Sequence, residues 1–470
     1  MAGRHHASPE ADSTASFLLQ ELQRLGFQRR EQASDLLAGP PASFAHHFSV
    51  SLHRIGRRTR LVLEIDGRSR TARVGEDYLP LLFALEGEVV GRAVTLDTRV
   101  ADLDDSMRET LRERIVFAAP DTWDAGRDAA ASIHAAARRL TELGAAAVVF
   151  TDVDKWKELA TSAYPAHLPD DVDAALRSHR ARELNLNAER VGLSRQASAW
   201  RLAPERTCPA VVVRPGWAPA PTARSQAAVA IDFVQEVSLG QNILVGLAGS
   251  QRPDEAVLLV AHHDQAGVSP TGEIFNGADD NASGVAALLE VARALRAVHG
   301  RMRRSVLVAF VGAELQGGQG SEALLRDLPL LVGPVDLRAA LCLDAVGGAG
   351  RDALRVAGAT DFPELGRFLD RRNERESLFA PAVFLQFVAP PETQRDSVPW
   401  RHKMTRDLLA DAGIPSLLIH GEAMHVAPRR DEWGRVDVGK ITSVARLLFR
   451  TTFDLVATDP LGALPAASSP

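Results

Sequence analysis

Along the second half of the chain, short apolar runs alternate with amphipathic stretches. Residues 256–261, 305–311, 339–343 and 416–419 are nearly continuous Val, Leu, Ile and Ala, the pattern of strands covered on both faces. After the first run, Val285, Leu288, Leu289, Ala292 and Leu295 recur at helical spacing, with Glu290 and Arg293 off the stripe. Residues 363–371, 404–412 and 438–457 carry the same kind of periodicity. Strand and helix in alternation predict an α/β unit with a mixed, largely parallel sheet flanked by crossover helices.

The first half reads differently. Residues 15–25 form an amphipathic helix ending near Gly26, and 44–50 and 61–65 alternate as strands. Strand-like runs over 73–96 are punctuated by Gly87 and Gly91. Residues 114–118, 145–150 and 209–213 are further short strands, and 129–143 is an Ala-rich helix closed at Gly144. Residues 165–198 are polar and helical or loop-like, and Pro- and Ala-rich 214–226 reads as an exit linker. The expected organisation is therefore a main domain split into 13–72 and 227–458, a β-rich insertion over 73–226, and disordered tails at 1–12 and 459–470.

Polar residues gather where the apolar runs stop. His262, His263 and Asp264 follow the first run. Asp279, Asp280 and Asn281 precede the next helix, with Ser283 as its expected N-cap. Glu314 follows 305–311, Asp344 ends 339–343, and His420 and His425 follow 416–419. Parallel strands place their carboxyl ends on one edge of a sheet, so His262, Glu314, Asp344 and His425 should converge there, with Asp280 beside them. A lone histidine after a strand is ordinarily structural, and Asp-Asp-Asn before a helix is ordinarily a turn. The repetition is what singles out this edge. Imidazole nitrogen combined with carboxylate oxygen suits a divalent transition metal, zinc above all.

Composition narrows the field. The chain has 470 residues, 46% hydrophobic and 24% charged, with a formal net charge of -6 and no clustered basic stripe, which argues against a nucleic-acid partner. No apolar run approaches the roughly 20 residues a membrane helix needs. The first residues lack the apolar core of a secretion signal, so a cytoplasmic location is expected. Cys208 and Cys342 each border or enter an apolar run and read as buried free thiols.

The motifs in their order resemble the zinc aminopeptidase family that includes bacterial leucyl aminopeptidases and glutamate carboxypeptidase. The A-H-x-D motif is matched by Ala261, His262, His263 and Asp264, and G-x-D-D-N-x-S-G by Gly277 to Gly284. The E-E-x-G-x-x-G-S motif is met at Glu314, Gly317, Gly320 and Ser321. Leu343, Asp344 and Gly347 match the Leu-Asp before a glycine turn, and Gly413, Ile414 and Pro415 the late G-I-P, with His425 as the late histidine. The resemblance implies a phosphorylase/hydrolase-like zinc exopeptidase fold, and the LGAAAVVFTD stretch resembles an inserted protease-associated domain. It implies that His262 and Asp344 bind one zinc, that Asp280 bridges to a second served by His425, and that Asp264 orients His262. Glu314 would be the general base.

Three positions depart from the family pattern. Leu315 stands where the family has a glutamate ligand of the second metal, and leucine coordinates nothing. Ser397 replaces the histidine of an S-D-H-x-P-F motif, here Arg395 to Trp400. The His-Thr-x-x-Asp pattern is loosened to His425, Val426 and a later Asp431. One well-formed zinc site is therefore expected at His262, Asp280 and Asp344. His425 would complete it or hold a weaker second ion, and Gln316, His263 and His420 are lesser substitutes. The expected activity is metal-dependent hydrolysis of a peptide or aminoacyl small-molecule substrate, with Glu314 and Asp264 in the catalytic machinery. A one-metal cyclase or acyl transferase on the same fold and a catalytically inert binding protein are the alternatives. The sequence leaves side-chain preference and homo-oligomerisation open. The insertion reads equally as a cover for the cleft or as a structural or dimerisation unit.

Overall fold

The computed structural model describes residues 9–30, 36–37, 40–81, 84–122, 129–153, 207–265, 267, 274–316, 318–348, 353–376, 383, 385–388, 405–421 and 431–458. Its strands form two sheets.

The larger sheet has nine strands, in the spatial order Gln28–Arg29, Ala42–Ile55, Phe233–Leu247, Arg304–Val311, Arg252–His262, Asp336–Asp344, Ser416–His420, Leu354–Ala357 and Leu385–Val388. The four strands from Arg304–Val311 to Ser416–His420 are mutually parallel. The flanking pairings of Phe233–Leu247 and of Leu354–Ala357 are antiparallel, so the sheet is mixed and largely parallel, as the alternating pattern predicts. Helices Pro9–Arg24, Gly284–Ala297, Pro363–Glu376 and Val438–Ala457 supply the apolar cluster on one face. Helices Gln319–Val332 and Thr405–Asp411 supply the cluster on the other. This double cover is why Arg304–Val311 is buried at every position and reads as an unbroken apolar run.

Chain direction places a crevice in this sheet. From Arg252–His262 the chain crosses through helix Gly284–Ala297 to Arg304–Val311 on one side. It then returns through helix Gln319–Val332 to Asp336–Asp344 on the other side. The strand order reverses at that point, and ligands of open α/β sheets bind outside the carboxyl ends there.

The second sheet has eight strands, ordered Arg68–Thr71, Arg60–Ile65, Gln226–Ile231, Gly87–Thr95, Ile115–Ala118, Ala147–Phe150, Ala210–Val213 and Tyr78–Pro80. With helix Ala129–Glu142 it encloses a separate apolar core. The chain leaves the first sheet at Ile55 and returns at Phe233, and these two residues pair across the antiparallel ribbon. The expected boundaries at 72/73 and 226/227 fall inside the strand pairing of the second sheet, because Gln226–Ile231 pairs with both Arg60–Ile65 and Gly87–Thr95.

Helix Pro9–Arg24 begins inside the tail expected to be disordered; proline is well suited to a first helical position, where its missing N–H costs nothing. The polar stretch 165–198 and the tail 459–470 lie outside the described residues. Cys208 and Cys342 are free and buried. Among the described residues, no helix is long and apolar enough to cross a membrane.

Candidate metal centre

Three side chains meet at the carboxyl edge of the parallel strands. His262 closes strand Arg252–His262, Asp344 closes the neighbouring strand, and Asp280 lies in the turn that opens helix Gly284–Ala297. His262 Nε2 is 3.1 Å from Asp280 Oδ1 and 3.5 Å from Asp344 Oδ1. One donor atom from each residue lies within 4.8 Å of the other two. A tetrahedral zinc with bonds of about 2.0–2.1 Å separates its ligand atoms by roughly 3.3–3.4 Å, so this spacing fits a shared ion. Asp280 Oδ1 and Asp344 Oδ1 are both buried and accept no hydrogen bond of normal geometry. Buried carboxylate oxygens left that way are costly unless a cation faces them.

The electrostatics agree. Burial opposes a charged imidazole at His262, yet Asp264, Asp280 and Asp344 outweigh it and raise its pKa well above the usual histidine range. Burial and the neighbouring Asp280 charge push Asp344 up to about 6, with His262 partly offsetting them. Crowded carboxylates around one imidazole thus retain protons that a divalent cation would replace. On the far side of the ring, His262 Nδ1 lies 3.2 Å from the Asp264 carbonyl and 3.5 Å from its Oδ1. Both are acceptors, so Nδ1 carries a hydrogen, and Nε2 is the nitrogen left to ligate a metal once its own proton is displaced.

The turn carrying Asp280 is fastened from several directions. Asn281, fully buried, accepts from the Gly284 and Ala345 amides at 3.2 and 3.1 Å and donates to the Leu343 carbonyl at 2.9 Å. One amide side chain thereby fixes the residues beside both Asp280 and Asp344. Asp431 accepts from the Asp279 amide at 2.5 Å and the Asp280 amide at 3.3 Å. Burial pushes the Asp431 carboxyl up to about 6, with the charges of Asp280 and Asp279 adding to it. Gln265 donates to the Asp280 carbonyl. Ser283, expected as an N-cap, has helical φ/ψ and makes no cap bond. Its hydroxyl donates to the Asp279 carbonyl at 2.7 Å and accepts from the Val346 amide at 3.0 Å, while Asn281 receives the helix amide instead.

Glu314 follows the adjacent parallel strand. Ala313 and Ala345, next to Glu314 and Asp344, have φ of 53° and 49°, a strained region for alanine that a tightly specified site sustains. The Glu314 carboxylate accepts from Thr405 N at 2.9 Å, Thr405 Oγ1 at 2.8 Å and Ser321 Oγ at 2.5 Å. Burial pushes its pKa up, and the Ser321 and Thr405 donors oppose that rise. Glu314, His262 and Asp344 line one cavity of about 20 Å³, with Thr405 and Arg406 also in its wall. That is room for about one water molecule.

His262, Asp280 and Asp344 are thus brought together, Asp264 backs the histidine, and Glu314 shares a cavity with His262 and Asp344. His425 and the 395–400 stretch lie outside the described residues. His263 Nε2 is 3.0 Å from the Gln241 carbonyl and His420 Nδ1 is 2.9 Å from that of Gly421. Neither histidine belongs to the cluster among the described residues. Gln316 is fully buried, and Leu315 offers Asp264 only its backbone amide, at 3.3 Å. Sequence reasoning passed over Asn281 and Thr405 as site residues. Asn281 sits inside a recognisable motif, whereas Thr405 carries no local signal.

Residues 242–404, which span His262, Asp264, Asp280, Glu314 and Asp344, match the model of peptidase family M28. This part of the chain is similar to the peptidase family M28. The chain superposes on an aminopeptidase from Aneurinibacillus sp. strain AM-1 with a TM-score of 0.57 and 15% identity, over 100% of this chain and 94% of that one. A zinc aminopeptidase from Bacillus subtilis gives 0.57 and 14%, over 97% and 92%. A peptidase M28 precursor from Shewanella amazonensis SB2B gives 0.53 and 12%, over 100% and 92%. At such identities the likeness is one of fold, and the fold is that of these enzymes. The family match and the fold together support a hydrolase of the zinc metallopeptidase type.

Proposed function

We propose that the protein is a zinc-dependent amide hydrolase of aminopeptidase type, acting on peptides or aminoacyl small molecules. The observation that supports this most is an imidazole and two carboxylates at metal-ligand spacing, of which His262 and Asp344 share a cavity with the buried Glu314. His262, Asp280 and Asp344 would hold one zinc, which when bound supplies a Lewis acid for the scissile carbonyl and lowers the pKa of water. Asp264 holds the His262 ring in the tautomer that presents Nε2. Glu314 takes a proton from the attacking water and delivers it to the leaving amine. Leu315 stands where the resembling family has its second-site carboxylate, so a single ion is the working complement.

The test is hydrolysis of aminoacyl 4-nitroanilides by zinc-loaded protein and by Glu314→Gln. Loss of about 10²- to 10⁴-fold in kcat with zinc retained is expected. Undiminished turnover in the variant would contradict the assignment. Leu315 favours one further reading, a one-metal enzyme that cyclises or transfers instead of hydrolysing. Stoichiometric zinc with no hydrolysis, but with Glu314-dependent turnover of another amide-containing compound, would select it.

A further inference from the structure

We propose that neutral His46, with its hydrogen on Nε2, is a positioning residue for Glu314, acting through Asn242 to tie together the two ends of the loop that carries the base. The proposal rests on Glu314 acting as the base, and it gives a role to two buried polar residues, on strands Ala42–Ile55 and Phe233–Leu247, that belong to none of the motifs.

Asn242 is fully buried, and its backbone partners permit one orientation of the amide. Oδ1 accepts from the Gly312 N–H at 2.9 Å, and Nδ2 donates to the Gly320 carbonyl at 2.8 Å. The second Nδ2 hydrogen is left for His46 Nδ1, at 3.3 Å, so Nδ1 is the lone-pair nitrogen of the ring. The ring hydrogen is then on Nε2, which donates to Asp327 Oδ2 at 3.1 Å. Arg326 already pairs the Asp327 charge, at 2.7 and 2.8 Å, so the carboxylate does not require an imidazolium. Every donor hydrogen of this relay meets an acceptor when His46 is neutral. A second ring proton would sit on Nδ1 and set N–H against the N–H of Asn242.

Gly312 and Gly320 bracket Glu314. Gly312 follows strand Arg304–Val311, and Gly320 lies in the first turn of helix Gln319–Val332, next to Ser321, whose hydroxyl contacts the Glu314 carboxylate at 2.5 Å. One side chain therefore holds both ends of the loop, and a displacement of about 1 Å at a reacting group can cost about 10²-fold in rate. The relay is also sensitive to protonation. The charged groups facing His46 are Asp327 and, behind it, Arg326, both on helix Gln319–Val332. Strand Phe233–Leu247 presents Asn242, and on its own strand His46 lies against Phe48, with ring centroids 5.7 Å apart; neither titrates. Protonation of His46 keeps the Asp327 contact and removes the Asn242 one, which loosens the loop.

The test combines ring-nitrogen NMR of isotope-labelled histidine, amide hydrogen exchange and kinetics on the zinc-loaded protein. The His46 signals, assigned by their loss in His46→Phe, should show hydrogen on Nε2 and a lone pair on Nδ1 in the neutral ring. Asn242→Asp turns an acceptor toward Nδ1, so the charged ring should appear at higher pH than in wild type; Asp327→Asn removes the facing charge, so it should appear at lower pH. His46→Phe should speed exchange of the Gly312 amide by about 2- to 10-fold, the weight of one lost hydrogen bond. It should also lower kcat by about 10- to 100-fold with KM and zinc content unchanged. A His46 midpoint common to wild type, Asn242→Asp and Asp327→Asn would overturn the proposal, as would unchanged Gly312 exchange in His46→Phe. Faster exchange with undiminished kcat would reduce the relay to a structural brace and overturn it as well. Should the wild type hydrolyse nothing, exchange and midpoints still decide whether His46 holds the loop, and only the assignment of Glu314 as base falls. Asp327→Asn alters one partly exposed side chain and keeps the test available if the buried variants do not fold.

Discussion

The His262 ring illustrates how much of the centre depends on one backing residue. With Nδ1 turned to Asp264, Nε2 is committed to Asp280 and Asp344; without the Asp264 carboxylate 3.5 Å away, only the backbone carbonyl at 3.2 Å is left to hold the ring and raise its basicity. Asp264→Ala should therefore weaken zinc binding by about 10- to 100-fold while leaving the fold intact, measured by competition with a chromophoric chelator. Unchanged affinity would show that Asp264 serves only the Leu315 amide. The ligand residues were legible in the sequence because each ends an apolar run or opens a helix, which is a local signal. Thr405 was not, since it acts on Glu314 across 91 residues of chain through hydrogen bonds that no periodicity encodes.

At the scale of elements, the loop carrying Glu314 is braced from the adjoining antiparallel strands of the sheet. Asn242 accepts from the Gly312 amide at 2.9 Å and donates to the Gly320 carbonyl at 2.8 Å. A methyl group at Gly320 would collide with the Gly312 carbonyl oxygen, so glycine is what allows helix Gln319–Val332 to start this close to the strand end. His46, on strand Ala42–Ile55, lies 3.1 Å from Asp327 on that same helix. Burial tends to raise the Asp327 carboxyl, but hydrogen bonds from His46 and Arg326 and the Arg326 charge hold it well below the usual range. A carboxyl with a depressed folded-state pKa adds stability above its unfolded pKa of roughly 3.9, and that stability is lost as pH falls. Asp327→Asn should thus flatten the acid limb of the stability curve below about pH 4, followed by urea melts of metal-free protein. An acid limb as steep as that of wild type would remove this pair from the account. The long ribbon of Ala42–Ile55 with Phe233–Leu247 escaped sequence reading at its far end. There the polar residues leave no apolar run like that at 256–261, and the pairing with residues 233–246 is distant in sequence.

For the whole molecule, the decisive feature is that the second sheet hangs from the first by paired residues, Ile55 and Phe233. Its apolar core is its own, so the peptidase sheet does not draw on it for burial. Replacing residues 56–232 by a two-residue Asn-Gly turn should therefore leave a cooperatively melting protein that still binds zinc, because such a turn joins antiparallel strands directly. Loss of cooperative melting would mean that the insertion is part of the peptidase core. The α/β alternation of the second half was legible because its strands are covered on both faces. The insertion limits were not, since 61–65 reads as an ordinary strand and 214–226 as a linker, and the sheet there is declared only through pairing partners distant in sequence.

The central claim is a single working metal site, with the second lost at Leu315. Elemental analysis of purified protein, wild type against Leu315→Glu, tests it most directly. One zinc per chain in wild type and two in Leu315→Glu is the expected result. Two ions in wild type would mean that another residue replaces the missing carboxylate, and none in either protein would leave the cluster of His262, Asp280 and Asp344 without the role assigned to it.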